Sequence, residues 1–411
     1  MSKIKLAKTL AYLSGAPRVS LHPQAAASGP RAHILGVMRG FQENGWEVQS
    51  FIAGDHVPRG WVLGENSERA LRANPMNRLA ADFTRQALGW YNGWRVGRLL
   101  NGMDWCYERY GVFQALGSTF QRSGIPWIVE TNGLFYVESS QDRKSVALKK
   151  FARWWERRVY AQCDVIVCLS HKLVNLIAED LEIDRSKMIV APVAADVERF
   201  DPDKVALPVR VFPQPTIGFV GTFCSWQALD LLIEAVADLR LEGVDFRLVL
   251  VGDGALRSTW QNLVAQLGMS ESVHFTGRVP FDQVPSYIMG FDLAYSGQVA
   301  LQAGSMYGSP SKIYEYMAMA RPVIASDSFE DAGKLVRDGE LGFLFSSGNK
   351  ESLKQALRRA YQRREDWSEM GTAARQEILK SHSWKSRVAE MIAQIEDILR
   401  RKYGTAYPVG H

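Results

Sequence analysis

Apolar residues along this 411-residue chain follow two spacings, which recur in the same order in both halves. Residues 9–14, 216–221 and 247–251 are short apolar runs of the kind that is buried in parallel sheets. Residues 32–44 and 229–241 instead carry apolar side chains three or four positions apart, which predicts helices with one buried face. The alternation of strand and helix predicts an α/β protein with doubly wound parallel sheets, whose ligands bind at the carboxyl ends of the strands.

The remaining pattern predicts further elements and one irregular region. Strands are predicted at 48–53, 164–170, 188–192 and 292–296, and helices at 148–162 and 384–403. Residues 54–104 are rich in Trp, Arg, Asn and Gly and have the least regular pattern in the chain. Because the chain is too long for one ordinary core, we expect two similar domains, with the proline-rich residues 201–215 as the linker.

Residues 309–326 combine a loop, a helix and a short strand. Ser309 is the expected N-cap and Pro310 the first helical residue, where its missing N–H costs nothing. One face of this helix is an apolar stripe formed by Ile313, Met317 and Ala320. Lys312 and Glu315 lie one turn apart on the other face, which leaves both side chains free to bind a ligand.

The position of Lys312 conflicts with local electrostatics, because a cation in the first turn faces the positive end of the helix dipole. A bound phosphate would resolve the conflict, since the N–H groups of a helix N-terminus already favour an anion. Glu315 can accept two hydrogen bonds from a vicinal diol such as a ribose, so the pair predicts a nucleotide pocket. The alternative is a solvated Lys–Glu pair worth only about a few tenths of a kcal/mol, and this stretch alone does not decide between the two.

A family resemblance is carried by residues 309–325, which read Ser-Pro-Ser-Lys-Ile-Tyr-Glu-Tyr-Met-Ala-Met-Ala-Arg-Pro-Val-Ile-Ala. This segment resembles the donor-nucleotide segment of the large retaining glycosyltransferase family often called family 4 (glycosyl transferases group 1), which has the GT-B fold. The likeness extends over nearly the whole chain and is strongest from 216 to 345. It implies two Rossmann-like domains that face a central cleft, with residues 1–200 on the acceptor side, residues 201–383 binding the donor, and residues 384–411 crossing back to the first domain.

The resemblance implies a donor site built mainly from the second half of the chain. Lys312 would meet the donor diphosphate and Glu315 the ribose, and these two residues are expected to act in catalysis. In the family a glycine of the first loop approaches the diphosphate from the other domain, and Gly29 maps to that position. Further donor contacts are expected from Gly221, Thr222, Arg278, Tyr307, Ser309 and Ser311.

Several positions depart from the family pattern. The family commonly carries a second glutamate eight residues before the ribose-binding one, where this chain has Tyr307, so its contacts to the donor sugar are expected to differ. An arginine and a lysine usually clamp the diphosphate, whereas here those neighbourhoods read Thr222 and Gln227, so Lys312 and Arg278 would have to supply the positive charge. The family also favours a glycine where this chain has Ala320, so the helix must end without the residue best suited to a left-handed cap.

Acceptor-side residues are expected in the first half. Residues 107–110 and 125–132 resemble two further landmarks of the family, and the second is a strand whose end points into the cleft. Glu130 and Asn132 are therefore acceptor-side candidates, although ordinary strand-end capping explains each of them nearly as well. Aromatic faces stack on sugar rings, so tryptophans can also line an acceptor pocket, although core packing is favoured for most of them. The tryptophans in question are Trp61, Trp90, Trp94 and Trp105.

These observations predict an enzyme of glycan or glycoconjugate biosynthesis, a retaining hexosyltransferase that moves a sugar from a nucleotide-sugar donor to a hydroxyl of a small-molecule, lipid-linked or glycan acceptor. The donor, expected to be a nucleoside diphosphate sugar, is a substrate, and no cofactor is expected. No metal is expected either, because the predicted phosphate corner offers a lysine and backbone N–H groups instead of carboxylates. Two alternatives stay open: a nucleotide-sugar epimerase or hydrolase on the same fold, and a degenerate nucleotide-sugar-binding partner subunit.

Composition adds little to this interpretation. The net charge of +5 fits phosphorylated ligands, but no concentrated Lys/Arg tract argues for nucleic acid. The four cysteines show no metal-ligand spacing and are expected to be reduced thiols of a cytoplasmic protein. No apolar run predicts a transmembrane helix. The helix predicted at 148–162 is basic and aromatic and can lie on an anionic bilayer, but charges on several of its faces favour a solvated helix, so at most weak peripheral membrane association is expected.

Overall fold

The computed structural model describes residues 8–17, 19–22, 29–57, 74–100, 102–142, 144–299 and 307–404. The chain divides into two compact units, of which the first ends at Pro192 and resumes at Lys385, and the second spans Val193–Trp384. Packing therefore groups residues 193–200 with the second unit. The domain boundaries given by the resemblance, after residues 200 and 383, remain predictions.

Six strands among the described residues form the parallel sheet of the first unit. They are β1 Lys8–Ser14, β2 Trp46–Ile52, β3 Trp105–Arg109, β4 Trp127–Thr131, β5 Val165–Cys168 and β6 Met188–Val190. Their order in the sheet is β2-β1-β3-β4-β5-β6. The helices between them are α1 Gly29–Glu43, α2 Pro75–Leu99, α3 Ser118–Arg122, α4 Phe135–Val137, α5 Lys149–Gln162 and α6 His171–Leu181.

The described part of the second unit likewise contains six parallel strands. They are β7 Thr216–Val220, β8 Arg247–Val251, β9 Val273–Gly277, β10 Leu293–Ser296, β11 Val323–Ser326 and β12 Gly342–Phe345, in the order β12-β11-β10-β7-β8-β9. The helices are α7 Leu229–Leu241, α8 Arg257–Gln266, α9 Val284–Met289, α10 Ser311–Ala318, α11 Glu330–Val336, α12 Lys350–Gln362 and α13 Trp367–Ser381. The last helix, α14 Trp384–Tyr403, belongs to the first unit from Lys385 onward.

The predicted class, α/β with two doubly wound parallel sheets, is confirmed. Strand β8 and helices α7 and α14 begin and end at the predicted residues. The inner strands of both sheets are buried, so they read as nearly continuous apolar runs, and this makes them easy to recognise in the sequence. None of the helices that the structure describes is both long and apolar enough to cross a membrane.

Within residues 54–104, where the sequence pattern is least regular and no helix was predicted, residues 75–99 form the 25-residue helix α2. The side chain of Asn74 caps this helix by accepting from the N–H of Met76, and Pro75 is its first residue, which is a favourable start for a helix. The sequence pattern misleads here because α2 contains three glycines and buries mostly small or polar residues. Its large apolar residues face outward instead.

The tryptophans of this region differ in their burial. Trp105 lies in the core of the first unit, as expected. The expectation of core packing is wrong for Trp90 and Trp94, whose exposed fractions are 69% and 53%. Trp61 lies outside the described residues.

Helix α10 begins one residue later than predicted. Its first residue is Ser311, and Pro310 occupies the cap position with φ −81° and ψ 88°. The hydroxyl of Ser309 accepts a hydrogen bond from the N–H of Val193 at 3.3 Å, so the prediction that Ser309 caps the helix is wrong. The first turn of α10 consequently has no side-chain cap from the described residues.

The end of α10 shows how the chain manages without the family's glycine. Ala320 itself adopts the left-handed conformation, with φ 54°. The N–H of Arg321 donates to the carbonyl of Tyr316, and the N–H of Ala320 donates to that of Met317, each at 3.0 Å. This is the Schellman pattern of helix termination, formed here at the steric cost of a Cβ atom in the left-handed region.

Candidate active site

The corner between β7 and α10 holds two of the residues expected at the donor diphosphate, Gly221 and Lys312. The order of the second sheet reverses beside β7, because β8 and β9 lie on one side of that strand and β10 to β12 on the other. Such a reversal is where doubly wound sheets bind ligands. Gly221 directly follows β7, and a Cβ atom built on it would lie 2.7 Å from Cε and 3.3 Å from Nζ of Lys312. The absence of a side chain at Gly221 therefore leaves room for the lysine above the turn.

A hydrogen bond fixes α10 against the strand that carries this turn. The buried hydroxyl of Tyr316 accepts from the N–H of Val220, the last residue of β7, at 2.8 Å. The uncapped first turn of α10 and the turn after β7 are thereby held in a fixed relation, as a preorganised anion site requires. Sequence analysis did not single out Tyr316, because a buried tyrosine on a helix is ordinarily a core residue.

Burial shifts the pKa values of Lys312 and Glu315 toward each other. It lowers the pKa of Lys312, and the Glu315 carboxylate offsets this only in part. Burial also raises the pKa of Glu315 to about 7 in spite of Lys312, and Asp196 adds to the rise. The side chains of Lys312 and Glu315 are both partly buried, and no direct ion pair joins them. The alternative of a solvated Lys–Glu pair therefore does not fit. A bound anion and its ribose would favour the charged forms of both.

The other predicted donor residues lie at several points of the second unit. Thr222 is exposed in the turn after β7, and Ser311 is exposed at the start of α10. Tyr307 and Ser309 are partly buried in the segment that leads into this helix. Arg278 is exposed directly after β9, which β8 separates from β7. Arg278 is thus two strands away from the corner that holds the lysine.

Arg257 is a cation that the sequence analysis missed, and the strand order brings it nearer to the corner. It is the first residue of α8, in the connection that follows β8, the neighbour of β7. Its Nη1 would lie 3.3 Å from a Cβ atom built on Gly277, and it pairs with Asp253 at 3.4 Å. The sequence could have indicated Arg257 as a candidate, because it lies three residues after Gly254 in the loop that follows a buried strand.

Neither metal ligation nor a reactive thiol is indicated by the described side chains. Among these residues no group of three or more His, Cys, Asp or Glu is arranged to hold a metal ion. All four cysteines are free, and three of them are buried. Cys224 is near Lys312, but burial raises the pKa of its thiol to about 11, against the effect of the lysine. The thiol is therefore not activated as a nucleophile.

In the first unit, Glu130 is the centre of a polar cluster at the carboxyl ends of β3 and β4. Its side chain is 2% exposed and accepts hydrogen bonds from the hydroxyl of Tyr107 at 2.8 Å and from Nη1 of Arg109 at 2.9 Å. The Nε2 atom of His33, on α1, lies 2.8 Å from Oε1 of the same carboxylate. Although burial alone would raise it, these neighbours lower the pKa of Glu130 to about 2, with His33 as the strongest of them.

Asn132 joins the same cluster. With its amide oriented to suit its neighbours, the oxygen accepts from Nη2 and Nη1 of Arg109 at 2.5 and 2.6 Å, and the nitrogen lies 3.2 Å from Oε1 of Glu130. The structure therefore brings both predicted acceptor-side residues together and adds His33 and Arg109, which the sequence analysis did not name as candidates. Glu130 is nearly inaccessible and holds the groups around it, whereas Asn132 is partly exposed.

Gly29 is the first residue of α1, three residues earlier than the predicted start of this helix. It is exposed, and a Cβ atom built on it would meet nothing within 4 Å. Packing within the unit consequently does not require a glycine here. A requirement for glycine at this position would have to come from a ligand, and the assignment of Gly29 to the diphosphate stays a prediction.

Two family models match the chain in succession. The Glycosyl transferase 4-like domain matches residues 28–194, and Glycosyl transferases group 1 matches residues 214–363. The two matches together cover more than half of the chain, and each falls almost wholly within one of the two compact units.

Curated relatives are distant glycosyltransferases. A 2-deoxystreptamine glucosyltransferase of Streptomyces kanamyceticus is 28% identical over 192 residues, which is 44% of this chain and 49% of that protein. An uncharacterized glycosyltransferase of Methanocaldococcus jannaschii is 25% identical over 303 residues, which is 72% of this chain and 77% of that protein. The chain thus matches about half the length of the first relative and about three quarters of the second.

Solved structures resemble the chain over nearly its full length. Sucrose-phosphate synthase from Thermosynechococcus elongatus has a TM-score of 0.67 at 14% identity, covering 96% of this chain and 100% of that chain. A glycosyltransferase from Rickettsia africae has a TM-score of 0.65 at 17% identity, covering 96% and 99%. Anabaena HepE, whose structure is a complex with UDP, has a TM-score of 0.65 at 14% identity, covering 95% and 100%. At these identities the likeness establishes the shared fold.

Proposed function

The chain belongs to the group 1, family 4-type glycosyltransferases with the GT-B fold, and from that premise we propose that it transfers a hexose from a nucleoside diphosphate sugar to an acceptor hydroxyl with retention of configuration and without a metal. The observation that carries the proposal is the position of Lys312, whose Nζ lies over the glycine turn after β7. Beside it the first turn of α10 has no side-chain cap from the described residues.

The departing diphosphate is what this corner would stabilise. Charge develops on the leaving phosphate as the glycosidic bond breaks, and a cation fixed beside uncapped N–H groups favours that charge without reorganisation. Binding of the diphosphate would raise the lowered pKa of Lys312 and keep it as an ammonium ion. The same ammonium supplies the compensation that a metal provides in other transferases, which is the basis of the proposed metal independence.

Glu315 would bind the ribose of the donor as a carboxylate. Its pKa of about 7 leaves it partly protonated at neutral pH before the donor binds. Two ribose hydroxyls donating to the carboxylate would favour the ionised form, so donor binding releases a proton from the fraction that is protonated. A ribonucleotide is thus the ligand expected here, and UDP is the first to test because the HepE structure is a complex with UDP.

In this proposal, retention of configuration follows because the site offers no separate nucleophile among the described residues. No described residue beside Lys312 has the properties of a separate nucleophile, since burial raises the pKa of the Cys224 thiol and Glu315 is assigned to the ribose. A leaving phosphate held by the lysine can itself accept the proton of the incoming hydroxyl on the same face of the sugar. In the first unit Arg109 and Asn132 are the groups proposed to orient the acceptor, and Glu130 positions both. The free cysteines fit the cytoplasmic location proposed for an enzyme that uses such donors.

The test has a binding step and a chemical step. A panel of nucleotide sugars, beginning with UDP-glucose, is screened by thermal shift, where a ligand at about 100 times its dissociation constant stabilises by roughly 2.7 kcal/mol. The tightest donor is then incubated in excess EDTA with candidate acceptors, starting from 2-deoxystreptamine, the compound in the name of the first relative. The anomeric configuration of the product is read by NMR. Retention and full activity in EDTA are expected.

Four other outcomes would overturn parts of this proposal. An inverted product contradicts the retaining mechanism, and activity that EDTA abolishes and magnesium restores contradicts metal independence. Release of free sugar with every acceptor identifies a hydrolase instead of a transferase. Donor binding without any turnover would favour a partner subunit that binds nucleotide sugars. Tyr307, Thr222 and Gln227 raise this alternative because they depart from the family pattern.

A further inference from the structure

Helix α2 carries a row of large apolar side chains on its outward face. The row follows a helical spacing from Met76 to Trp94, and its members are exposed: Met76 78%, Leu79 38%, Phe83 64%, Trp90 69%, Tyr91 56% and Trp94 53%. A helix of 25 residues is about 37 Å long, so the row is far more than a single stray apolar residue. A continuous apolar face of this kind on a folded unit ordinarily marks an interaction site.

The inward face of α2 explains why the large residues point outward. Gly89 lies so close to the segment after β3 that a Cβ atom on it would be 2.9 Å from the carbonyl oxygen of Phe113. A Cβ atom on Gly97 would be 2.4 Å from Cγ2 of Thr119. The hydroxyl of Thr119 also donates to the carbonyl of Gly93 at 3.1 Å. Small residues thus seat the helix directly on backbone, which leaves no space for its aromatic residues beneath it.

Helix α5 adds a second set of exposed aromatic residues beside the first. The buried carboxylate of Asp82, on α2, accepts from the N–H of Ala147 at 2.9 Å and from that of Leu148 at 3.0 Å, immediately before α5 begins. Phe113, whose carbonyl touches α2, stacks its ring on Phe151 of α5 at 5.5 Å. Phe151 in turn stacks on Trp154, which is 50% exposed, at 5.6 Å. The two helices are therefore fastened together, and their aromatic residues adjoin.

The charges of the two helices are of one sign at the surface. Within α2 and α5, all of whose residues the structure describes, the carboxylates are Asp82 and Glu156, and both are buried. The basic residues of the same helices are Arg78, Arg85, Arg95 and Arg98 on α2, and Lys149, Lys150, Arg153, Arg157 and Arg158 on α5. Two of these arginines form ion pairs with carboxylates outside the two helices. Arg153 pairs with Asp180 of α6, and Arg157 pairs with Glu182, the residue after α6.

Two arginines lie directly on the exposed tryptophans. The guanidinium of Arg98 is 4.1 Å from the ring centre of Trp94, and that of Arg158 is 5.5 Å from the ring of Trp154. An indole with a cation beside it suits the boundary of a lipid bilayer, where the ring sits at the level of the headgroups and the cation reaches a phosphate.

From this face we infer that the first unit docks on an anionic lipid bilayer through α2 and α5. The aromatic row supplies the apolar contact, and the surrounding arginines and lysines are complementary to acidic headgroups. A second copy of the chain is a poorer occupant, because a two-fold contact through this face would set arginines against arginines. Helix α2 contacts the carbonyl of Phe113, four residues after Arg109, the last residue of β3 and a member of the Glu130 cluster. An acceptor presented at the bilayer would thus be delivered close to the Glu130 cluster of the same unit.

The test measures binding of the full-length chain to vesicles in the absence of nucleotide, so its result does not depend on the proposed transfer reaction. Vesicles of equal parts phosphatidylcholine and phosphatidylglycerol are compared with vesicles of phosphatidylcholine alone by co-sedimentation. We expect binding to the anionic vesicles, and weaker binding at high salt because exposed charges are screened. Trp90→Ala/Trp94→Ala is expected to weaken binding on the order of 100-fold, since each indole removes a large apolar area from water.

Charge and apolar contact can be separated with matched controls. Lys149→Gln/Lys150→Gln is expected to weaken binding to anionic vesicles by about 25-fold and to leave the weak binding to neutral vesicles unchanged. The control for the tryptophans is Leu207→Ala/Leu241→Ala, which removes side chains that are 79% and 91% exposed in the second unit. The control for the lysines is Lys334→Gln/Lys380→Gln, two exposed lysines of the second unit. Both controls should bind like the unaltered chain.

Any of three results would overturn the inference. The first is that the chain does not sediment with anionic vesicles, and the second is that the face variants and their controls bind equally. The third is a dimer in analytical ultracentrifugation that Trp90→Ala/Trp94→Ala dissociates, which would assign the face to a second copy of the chain. Circular dichroism of each variant verifies that the unit is folded, as is expected because all the replaced side chains are exposed.

Discussion

Glu130 in the first unit and Glu315 in the second are both carboxylates held near a basic side chain, yet their pKa values move in opposite directions. Glu130 is buried among three donors, and its pKa is lowered to about 2. Glu315 has Lys312 one turn away but no direct ion pair with it, and its pKa is raised to about 7. Burial disfavours the charge in both cases, and the difference comes from how many hydrogen bonds the protein itself supplies.

This difference separates a group that serves the fold from one that awaits a ligand. The cluster around Glu130 is satisfied within the first unit, so its charge stabilises the folded state and positions Arg109 and Asn132. For Lys312 and Glu315, burial disfavours the charged forms, and contacts with a diphosphate and a ribose would offset this unfavourable free energy. Binding residues are expected to behave in this way: they destabilise the folded protein while the site is empty and become favourable when the ligand binds.

The largest effect that tests this comparison is on stability. Glu130→Gln is expected to lower the free energy of unfolding of the first unit by about 3 kcal/mol, because it leaves the partly buried Arg109 without its counter-charge. Glu315→Gln, the matched change in the second unit, should be neutral or stabilising by less than about 1 kcal/mol, since it removes a carboxylate whose ionisation folding disfavours. Urea unfolding of both variants, followed by circular dichroism, measures the two values. Equal losses in the two variants would remove the distinction.

The second effect is on nucleotide affinity. Lys312→Met should weaken UDP binding by about 2 kcal/mol, or roughly 30-fold, because one charge-assisted contact to the diphosphate is lost. The same variant should not lose stability, since burial already disfavours the lysine's charge. Isothermal titration calorimetry measures the affinity, and Lys334→Met, a change to an exposed lysine of the same unit, is the control. Unchanged UDP affinity in Lys312→Met would mean that the diphosphate binds elsewhere.

The sequence predicts the inner strands of the two sheets well because these strands are buried. Apolar runs such as β7 and β8 have no solvent face, so their pattern reports the sheet directly. The same rule fails for α2, whose large apolar residues face solvent and whose buried positions are small or polar. The spacing of apolar residues indicates a helix with an apolar face, but it does not indicate whether that face points to the core or to solvent.

The candidate site was predictable in part. Lys312 and Glu315 could be named because one helix carries both, and their spacing alone puts them on one face. The cluster of Glu130, His33 and Arg109 joins α1 with the ends of β3 and β4, and such a contact depends on strand order, which sequence spacing does not contain. Tyr316 was missed for a similar reason, since its partner, the N–H of Val220, lies 96 residues away in the chain.

The third prediction concerns pH and the state of Glu315. If the ribose binds to the ionised carboxylate, the affinity for UDP rises with pH until the free protein is deprotonated, and becomes level above about pH 7. The sign follows because the unbound protein takes up a proton below its pKa of about 7, and that proton must leave on binding. The loss of affinity on acidification should be reduced in Glu315→Gln, which still shows the titration of the phosphate itself. Identical pH profiles for the two proteins would reject the ribose contact.

The smallest predicted effect compares how a helix ends in each unit. Ala320 follows α10 with φ 54°, and Glu182 follows α6 with φ 55°, so each unit places a side chain where glycine is favoured. Relief of the steric cost, about 1–2 kcal/mol, exceeds the extra freedom that glycine gives the unfolded chain, about 0.4–1 kcal/mol. Ala320→Gly should therefore stabilise the second unit by roughly 0.5–1 kcal/mol. Glu182→Gly should gain less, because it also removes the exposed ion pair with Arg157, which is 3.0 Å long.

The comparison is made by urea unfolding at high and low salt. High salt screens the Arg157–Glu182 pair, so the gain from Glu182→Gly should grow toward that of Ala320→Gly, whereas the gain from Ala320→Gly should not change with salt. The same variant also tests the donor corner, because Ala320 ends the helix that carries Lys312. UDP affinity is expected to stay unchanged, since the Schellman bonds to Tyr316 and Met317 can form with glycine as well. If Ala320→Gly weakened UDP binding without a loss of stability, the alanine would be holding α10 in its binding position, and the strain at its end would belong to the site instead of being a tolerated departure from the family pattern.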